Sequence, residues 1–122
     1  MRTLEEMQKK LDVYRELSIF YSAETGYIVW REGTGNNLEI LFIEGAGKEL
    51  CRIMVKEIIR QGKRPYNSVF AFRLGSNEIA DKFYRKVGFQ CVELGKSVYR
   101  DDTTALMWIT WYEFLKHLEV EK

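Results

Sequence analysis

The stretch that decides the fold of this chain is Asn77–Phe89, which reads NEIADKFYRKVGF. Its apolar residues recur at the three- and four-residue spacing of one helix face, namely Ile79, Ala80, Phe83, Tyr84 and Val87. Ser76 stands just before the stretch as a predicted N-cap, and Gly88 stands where a glycine commonly ends a helix. The pattern predicts an amphipathic helix that packs one face on a sheet.

Segments typical of strands lie on both sides of this helix. Before it, Pro65 precedes residues 66–72, which are rich in aromatic and β-branched side chains. After it, residues 89–94 and 105–109 have the same character. Thr110–Glu113 then has the form of a capping box followed by apolar residues at helical spacing, so we predict a terminal helix, with a longer strand as the alternative.

The preceding part of the chain combines a strand meander with two helices. A helix is predicted over residues 48–61, with Gly62 just past its end. Three strand-like segments punctuated by glycine and asparagine come before it, at residues 19–21, 27–30 and 38–43. Thr3–Glu6 resembles a capping box and opens a first helix, whose apolar face is Leu4, Met7, Leu11, Tyr14 and Leu17. The order α-β-β-β-α-β-α-β-β with a helical C-terminal tail predicts an α/β protein with a mixed α+β sheet.

Length and charge narrow the class of protein. The chain has 122 residues, which predicts one domain over 1–122. It carries 19 Lys and Arg against 18 Asp and Glu, so its charge gives no reason to expect nucleic acid or an anionic membrane as partner. It has no apolar run approaching the roughly 20 residues that span a bilayer, and its start lacks a secretory signal. We expect a cytoplasmic protein.

The cysteines and the histidine give no reason to expect a disulfide framework or a metal site. Cys51 and Cys91 form no CxxC pair, and His117 is the only histidine. A disulfide framework and a structural zinc site are therefore not expected, and both cysteines are predicted to be small buried apolar residues.

The segment Gly45-Ala46-Gly47 lies between a predicted strand and a predicted helix, where a backbone turn can approach an anion. A P-loop would need glycine at 42 and Ser or Thr at 49, which are Phe42 and Glu49, and a dinucleotide fingerprint would need glycine at Leu50. Two interpretations stay open: a shorter turn closing on a phosphate group of another cofactor, and a plain tight turn before a helix.

The stretch Asn77–Phe89 closely resembles the N-x-x-A-x-x-[FL]-Y-x-K-x-G-F signature of the GNAT-type N-acetyltransferases. Gly45–Gly47 and the helix after them are similar to that family's pyrophosphate-binding turn and helix. The strand 39–43 stands where the family's splayed fourth strand stands. Most of the chain is covered by this resemblance, which implies the GNAT fold.

The resemblance implies transfer of an acetyl group from acetyl-CoA to a small-molecule or peptide amine, without a metal. Tyr84 matches the tyrosine general acid, and Glu39 matches the glutamate that some members use as general base. Asn77 matches the asparagine that contacts the cofactor arm. The backbone N–H groups of Gly45, Ala46 and Gly47 would bind the pyrophosphate, with Lys48 or Arg52 adding positive charge.

Other interpretations of the same residues remain open at this point. Tyr84 also fits an ordinary core tyrosine, Glu39 a solvated strand residue, and Asn77 a residue of the first helical turn. The chain departs from the family where Phe42 replaces the usual Gln or Arg and where Glu44 adds a negative charge beside the turn. The alternative function is a catalytically inactive GNAT-like structural or protein-interaction module, and a homodimer is left open.

Overall fold

The computed structural model describes residues 17–63, 65–74, 77–96 and 103–120. The predicted first helix, with its capping box Thr3–Glu6, lies outside the described residues, and so does Ser76. The elements given below belong to the described ranges.

The described residues form strands and helices in the order β1–β2–β3–α1–β4–α2–β5–β6–α3, which confirms the predicted order from the meander onward. The strands are β1 (Ser18–Ser22), β2 (Gly26–Gly33), β3 (Asn37–Gly45), β4 (Ser68–Leu74), β5 (Gln90–Lys96) and β6 (Thr103–Thr110). The helices are α1 (Gly47–Arg60), α2 (Glu78–Lys86) and α3 (Trp111–Leu118). The segment after Thr110 is therefore a helix and not a longer strand. The fourth strand begins at Ser68, two residues later than predicted, so Tyr66 and Asn67 lie before it.

The strands form one mixed sheet in the order β1-β2-β3-β4-β6-β5. Only β3 and β4 run parallel, and α1 is the crossover between them. Their pairing is short, since Asn37–Glu39 pair with Ser68–Phe70 and the two strands diverge beyond that point. The strand β4 stays paired with β6 as far as Leu74, so the sheet opens only between β3 and β4.

A β-bulge on β3 accompanies this opening. Val29 pairs with Phe42 and Trp30 pairs with Ile40, so Leu41 is an extra residue on β3 with no residue opposite it on β2. A bulge bends its strand and increases the local twist, which turns β3 away from β4. The splayed strand that the resemblance implied is thus present at residues 39–43.

The main core lies between one face of the sheet and the three helices. Alternate strand residues such as Leu38 and Ile40 point into it, and α1 fills its centre with Leu50, Cys51, Met54, Val55 and Ile58. Burying one side chain of this size contributes about 1.5–3 kcal/mol. Tyr27 and Val29 form a smaller cluster with partly buried apolar neighbours, which include Leu17.

The helix ends follow from local side chains. The N-cap of α2 is Asn77, and not Ser76, because its Oδ1 accepts a hydrogen bond from the Ala80 amide at 3.1 Å. The hydroxyl of Thr110 likewise accepts from the Glu113 amide at 3.2 Å and starts α3, as its capping box predicts. Gly62 and Gly88 follow α1 and α2 with φ of +71° and +95°, which confirms both predicted terminating glycines.

Candidate active site

The divergence of β3 from β4 opens a groove of about 850 Å³. Its walls are the second half of β3, the glycine turn, the end of β4 and the first two turns of α2. Of the predicted site residues, Gly45, Gly47, Asn77 and Tyr84 line it together, although they are far apart in the sequence.

Tyr84 belongs both to the core and to the wall of the groove. It is 5% exposed and packs between the rings of Phe83 and Phe89, with centroids 5.2 and 5.0 Å away. Burial, together with the nearby charge of Cys51, raises the pKa of Tyr84 far above its usual value. The phenol is therefore protonated at neutral pH, as an ordinary tyrosine is, and is a weaker acid than a free tyrosine.

The glycine turn is tightly built against the β1–β2 connection. Gly45 has a φ of +118° and pairs with Gly26, and a Cβ on Gly45 would collide with the Thr25 carbonyl. The same carbonyl accepts a hydrogen bond from the Ala46 amide at 2.8 Å. The expectation that the Ala46 N–H faces a phosphate is therefore wrong, since this donor is already used within the chain.

The first turn of α1 still has backbone N–H groups of the kind that bind anions. This helix has no side-chain cap, and the first N–H groups of a helix have no partner within it. Lys48 is exposed on this turn. Arg52 is directed elsewhere, because its Nε donates to the Leu118 carbonyl at 2.7 Å. Of the two predicted cations, only Lys48 lies on the first turn of the helix.

Packing explains why position 47 is a glycine. A Cβ at this position would collide with the edge of the Phe83 ring, so the glycine lets α2 approach the start of α1. Asn77 lines the groove at the other end, and its Oδ1 is used to cap α2. Its side-chain amide NH₂ remains as the group that can point toward a ligand.

Glu39 lies on the opposite side of β3 from its neighbours Leu38 and Ile40. It is 8% exposed, so the interpretation as a solvated residue is wrong. It pairs across the strands with Arg31, whose Nε lies 3.0 Å from the Glu39 Oε1. Glu39 lines a second cavity, of about 920 Å³, and not the groove that holds Tyr84.

Aromatic rings and charged groups share the second cavity. Trp30, Tyr66, Phe70 and Phe72 contribute rings. Glu32 accepts a hydrogen bond from the Tyr66 hydroxyl at 2.8 Å, and burial together with this bond raises the pKa of Tyr66. Both carboxylates are paired with cations of the same cavity, Glu39 with Arg31 and Glu32 with Lys63 at 3.6 Å, so the cavity offers apolar surface beside balanced charges.

Phe72 is the one residue of the described part of the chain that lines both spaces. It lies on β4 two residues beyond Phe70, which makes the last pair between β3 and β4. The groove with Tyr84 and the cavity with Glu39 therefore lie next to each other at Phe72, where the two strands separate.

The sequence analysis did not identify Phe72 or Arg73 as residues that line these spaces. The alternation of Phe70 and Phe72 with Val69 and Ala71 could have placed both rings on one face of a strand, so a signal for Phe72 existed. No sequence signal marks Arg73, which lines the groove with its side chain 7% exposed and binds Asp81 at 2.7 Å. Desolvation opposes the shift, but the hydrogen bond from Arg85 and the charges of Arg73 and Arg85 lower the pKa of Asp81.

Cys51 is a buried free thiol, as predicted, and burial raises its pKa to about 12. Cys91 is also free but only half-buried. Within the described ranges, no cluster of three or more His, Cys, Asp or Glu residues could hold a metal ion. None of the helices that the structure describes is long and apolar enough to cross a membrane.

The architecture is shared by solved structures of acetyltransferases. Nourseothricin acetyltransferase superposes with a TM-score of 0.62 at 18% identity, covering 79% of this chain and 66% of its own, so this chain spans just under two thirds of that length. A protein assigned to the GNAT acetyltransferases from Desulfovibrio desulfuricans gives 0.66 at 18% identity, covering 88% of this chain and 77% of its own. One assigned as a streptothricin acetyltransferase from Bacillus anthracis, in complex with acetyl coenzyme A, gives 0.59 at 18% identity, covering 84% and 67%.

The chain therefore has the fold of the GNAT acetyltransferases, a mixed sheet that opens between its two central parallel strands. No protein-family model and no curated protein sequence matches it. The similarity to the solved structures is in the fold.

Proposed function

We propose that this chain is an N-acetyltransferase that moves an acetyl group from acetyl-CoA to the primary amine of a small molecule or peptide. The observation that carries the proposal is the junction of two spaces at Phe72. One holds Tyr84 and the start of α1, and the other holds Glu39. The solved structures with this fold support it, since one contains acetyl coenzyme A and another is a spermidine/spermine N-acetyltransferase from Vibrio cholerae.

The chemistry assigns one proton to each side of the junction. An alkyl ammonium has a pKa of about 10.4, so the acceptor must lose a proton before its nitrogen can attack. Glu39 is the carboxylate of the second cavity that takes this proton, directly or through a water molecule. The neutral nitrogen bonds to the thioester carbonyl carbon, the carbon–sulfur bond breaks, and the Tyr84 hydroxyl protonates the leaving thiolate. The nitrogen then gives up its second proton, which leaves a neutral amide and restores the Tyr84 hydroxyl.

The donor substrate is held by the rest of the groove. The N–H groups of the first turn of α1, beginning at Gly47 in the wall of the groove, bind the pyrophosphate, as the dipole of a 14-residue helix favours. Lys48 does not line the groove, and its exposed ammonium adds positive charge from outside it. The side-chain NH₂ of Asn77 contacts the pantetheine arm. We also propose a cytoplasmic location, in keeping with the two free thiols.

Two observations favour the alternative, a GNAT-like module without catalysis. Glu44 lines the groove with a carboxylate, which accepts a hydrogen bond from Tyr27 at 3.1 Å. The Ala46 amide, which would otherwise face a phosphate, is bound to Thr25. Both features weaken anion binding at the turn, so binding of acetyl-CoA is the property that separates the two functions.

Binding is tested by the thermal stability of the chain with and without acetyl-CoA. Saturation at 100 times Kd adds about 2.7 kcal/mol, which raises Tm by several degrees for a chain of this size. Lys48→Glu should weaken binding. Lys56→Glu makes the same charge change later on the same helix and is the matched control.

Transfer is tested with the same protein by release of free CoA in the presence of spermidine, a peptide with a free N-terminus and simple alkylamines. The proposal predicts amine-dependent CoA release with at least one of these acceptors. No thermal shift at millimolar acetyl-CoA would reject it in favour of the module. Binding without release to any amine would reject the reaction alone.

A further inference from the structure

The position of Phe72 carries an inference beyond the identity of the reaction. The residue follows the last pair between β3 and β4, and its ring is 52% exposed where the groove and the second cavity meet. In the described chain no other side chain borders both spaces. The two spaces are therefore adjacent at this residue.

The thioester carbonyl has to lie at the same place. Its sulfur must be within reach of the Tyr84 hydroxyl in the groove, and its carbon must be within reach of an amine held beside Glu39 in the second cavity. The acyl chain on that carbon consequently extends into the space beside Phe72. For every acyl length the balance is the same: one C–N bond forms, one C–S bond breaks, the thiolate takes the Tyr84 proton, and the second proton of the amine nitrogen restores the Tyr84 hydroxyl.

We propose that the ring of Phe72 sets the length of the acyl group that this chain transfers. The inference rests on the proposed function and adds a specificity-determining residue to it. An acetyl group places one methyl beside the ring, whereas each further methylene needs volume that the ring occupies.

The ring of Phe72 packs against one neighbouring ring, and its backbone is held in the sheet. Phe72 packs edge-on against Phe70, with ring centroids 5.8 Å apart and an interplanar angle of 83°. Phe70 is itself placed over Gly33, where an added Cβ would lie 3.1 Å from its ring carbons. The backbone of Phe72 is fixed by pairing with Leu106 on β6.

The test compares kcat/KM for acetyl-, propionyl-, butyryl- and hexanoyl-CoA with one amine acceptor. One methylene in a hydrophobic site changes discrimination by about 10–200-fold. We expect the wild type to prefer acetyl-CoA over butyryl-CoA by at least about tenfold. Phe72→Ala should reduce this ratio by about tenfold or more, and Phe72→Trp should increase it.

Val92→Ala is the matched control. Val92 pairs with Leu106, which pairs with Phe72, so it lies on the same face of the sheet two strands away. Its side chain is 45% exposed and borders neither space described above. We expect this variant to keep the acyl preference of the wild type, because it removes a comparable exposed apolar group without changing the junction.

Two outcomes would overturn the inference while the proposed function stands. The first is an equal kcat/KM of the wild type for acetyl-CoA and butyryl-CoA. The second is a fall in kcat/KM of Phe72→Ala that is equal for every acyl-CoA. If the wild type releases no CoA to any amine, the reaction is rejected, and binding decides the inference separately. The thermal shifts produced by acetyl- and butyryl-CoA should then differ in the wild type and converge in Phe72→Ala. Absence of any shift in the wild type would reject both proposals.

Discussion

Tyr84 belongs to the buried core and also lines the groove. The ring is held by Phe83 and Phe89 on either side, which fixes the direction of its hydroxyl. The same burial that stabilises the ring raises the pKa of Tyr84, so the acid form persists where a free tyrosine would begin to ionise. The higher pKa also makes the phenol a weaker acid toward a thiolate, since an ordinary thiol has a pKa of about 8.5, so burial explains the packing of Tyr84 and does not by itself support the acid role.

Tyr84→Phe keeps the ring and removes the proton donor. We expect kcat for acetyl transfer to fall by about 10²-fold or more, because general acid catalysis contributes roughly 10²–10⁴-fold. The Kd for acetyl-CoA, measured by titration calorimetry, should stay within about threefold of the wild-type value. A change of that size corresponds to less than about 1 kcal/mol of binding free energy. Tyr112→Phe, at an exposed position on α3, is the matched control. Unchanged kcat in Tyr84→Phe would remove Tyr84 from the acid role.

The same variant has a readout that does not depend on activity. The folded pKa of Tyr84 is raised above the ordinary value of 10.0, so its contribution to stability is complete below pH 10.0 and is lost as pH rises above it. Urea unfolding of the wild type should therefore weaken more steeply than that of Tyr84→Phe above pH 10. Parallel curves would show that burial does not shift this group.

At the scale of elements, the position of α2 depends on its contact with the start of α1. The Phe83 ring lies against the backbone of Gly47, and Arg73 of β4 binds Asp81 from the other side. These two contacts hold α2 over the gap between β3 and β4. They explain why Tyr84, on the same helix, reaches the groove.

Gly47→Ala tests this contact. The added methyl would meet the Phe83 ring, and overpacking of this kind costs about 1–3 kcal/mol in the free energy of unfolding. The double variant Gly47→Ala with Phe83→Leu should recover part of that loss relative to the sum of the single variants, as measured by urea unfolding. Strict additivity of the two single changes would contradict the contact.

At the scale of the whole molecule, the sheet is continuous on both sides of one opening. Strands β3 and β4 share three residue pairs, whereas β4 and β6 share seven. The backbone edges of residues 40–45 and 71–74 therefore face the groove without a neighbouring strand within the described structure. A ligand in the groove is the natural partner for these edges.

Hydrogen exchange should locate the ligand on this opening. With acetyl-CoA at 100 times Kd, exchange of the groove-facing amides in residues 40–45 and 71–74 should slow by up to about 100-fold. The amides that join β5 to β6 are an internal control, because that ladder lies at the far edge of the sheet. Equal slowing in both regions, or none near the groove, would contradict a bound cofactor between β3 and β4.

Much of the architecture could be predicted because it depends on local patterns. Three features follow from the spacing of residues close together in the chain, and the structure has each of them. They are the apolar face of α2, the terminating glycines Gly62 and Gly88, and the capping box at Thr110. The N-cap of α2 was misplaced by one residue. Ser and Asn are nearly equal caps, so sequence alone does not choose between Ser76 and Asn77.

The site was less predictable, because it depends on which donors and charges are already used. The Ala46 amide is occupied by Thr25, a residue twenty-one positions earlier, and Arg52 is occupied by the carbonyl of Leu118 near the other end of the chain. Glu39 on β3 forms an ion pair with Arg31 on the neighbouring strand β2. None of these pairings follows from residue type, since each requires the three-dimensional position of a distant partner.

The sequence by itself determined the order of elements and the residue types of the site, because periodicity and capping act over one or two turns of chain. Only the tertiary structure decided that Tyr84 and Glu39 lie on two different spaces and that Phe72 stands between them. The reason is the bulge at Leu41 and the short pairing of β3 with β4, which together open the sheet. Strand divergence depends on twist and on pairing between distant segments, and residues far apart in the chain meet only after it has occurred.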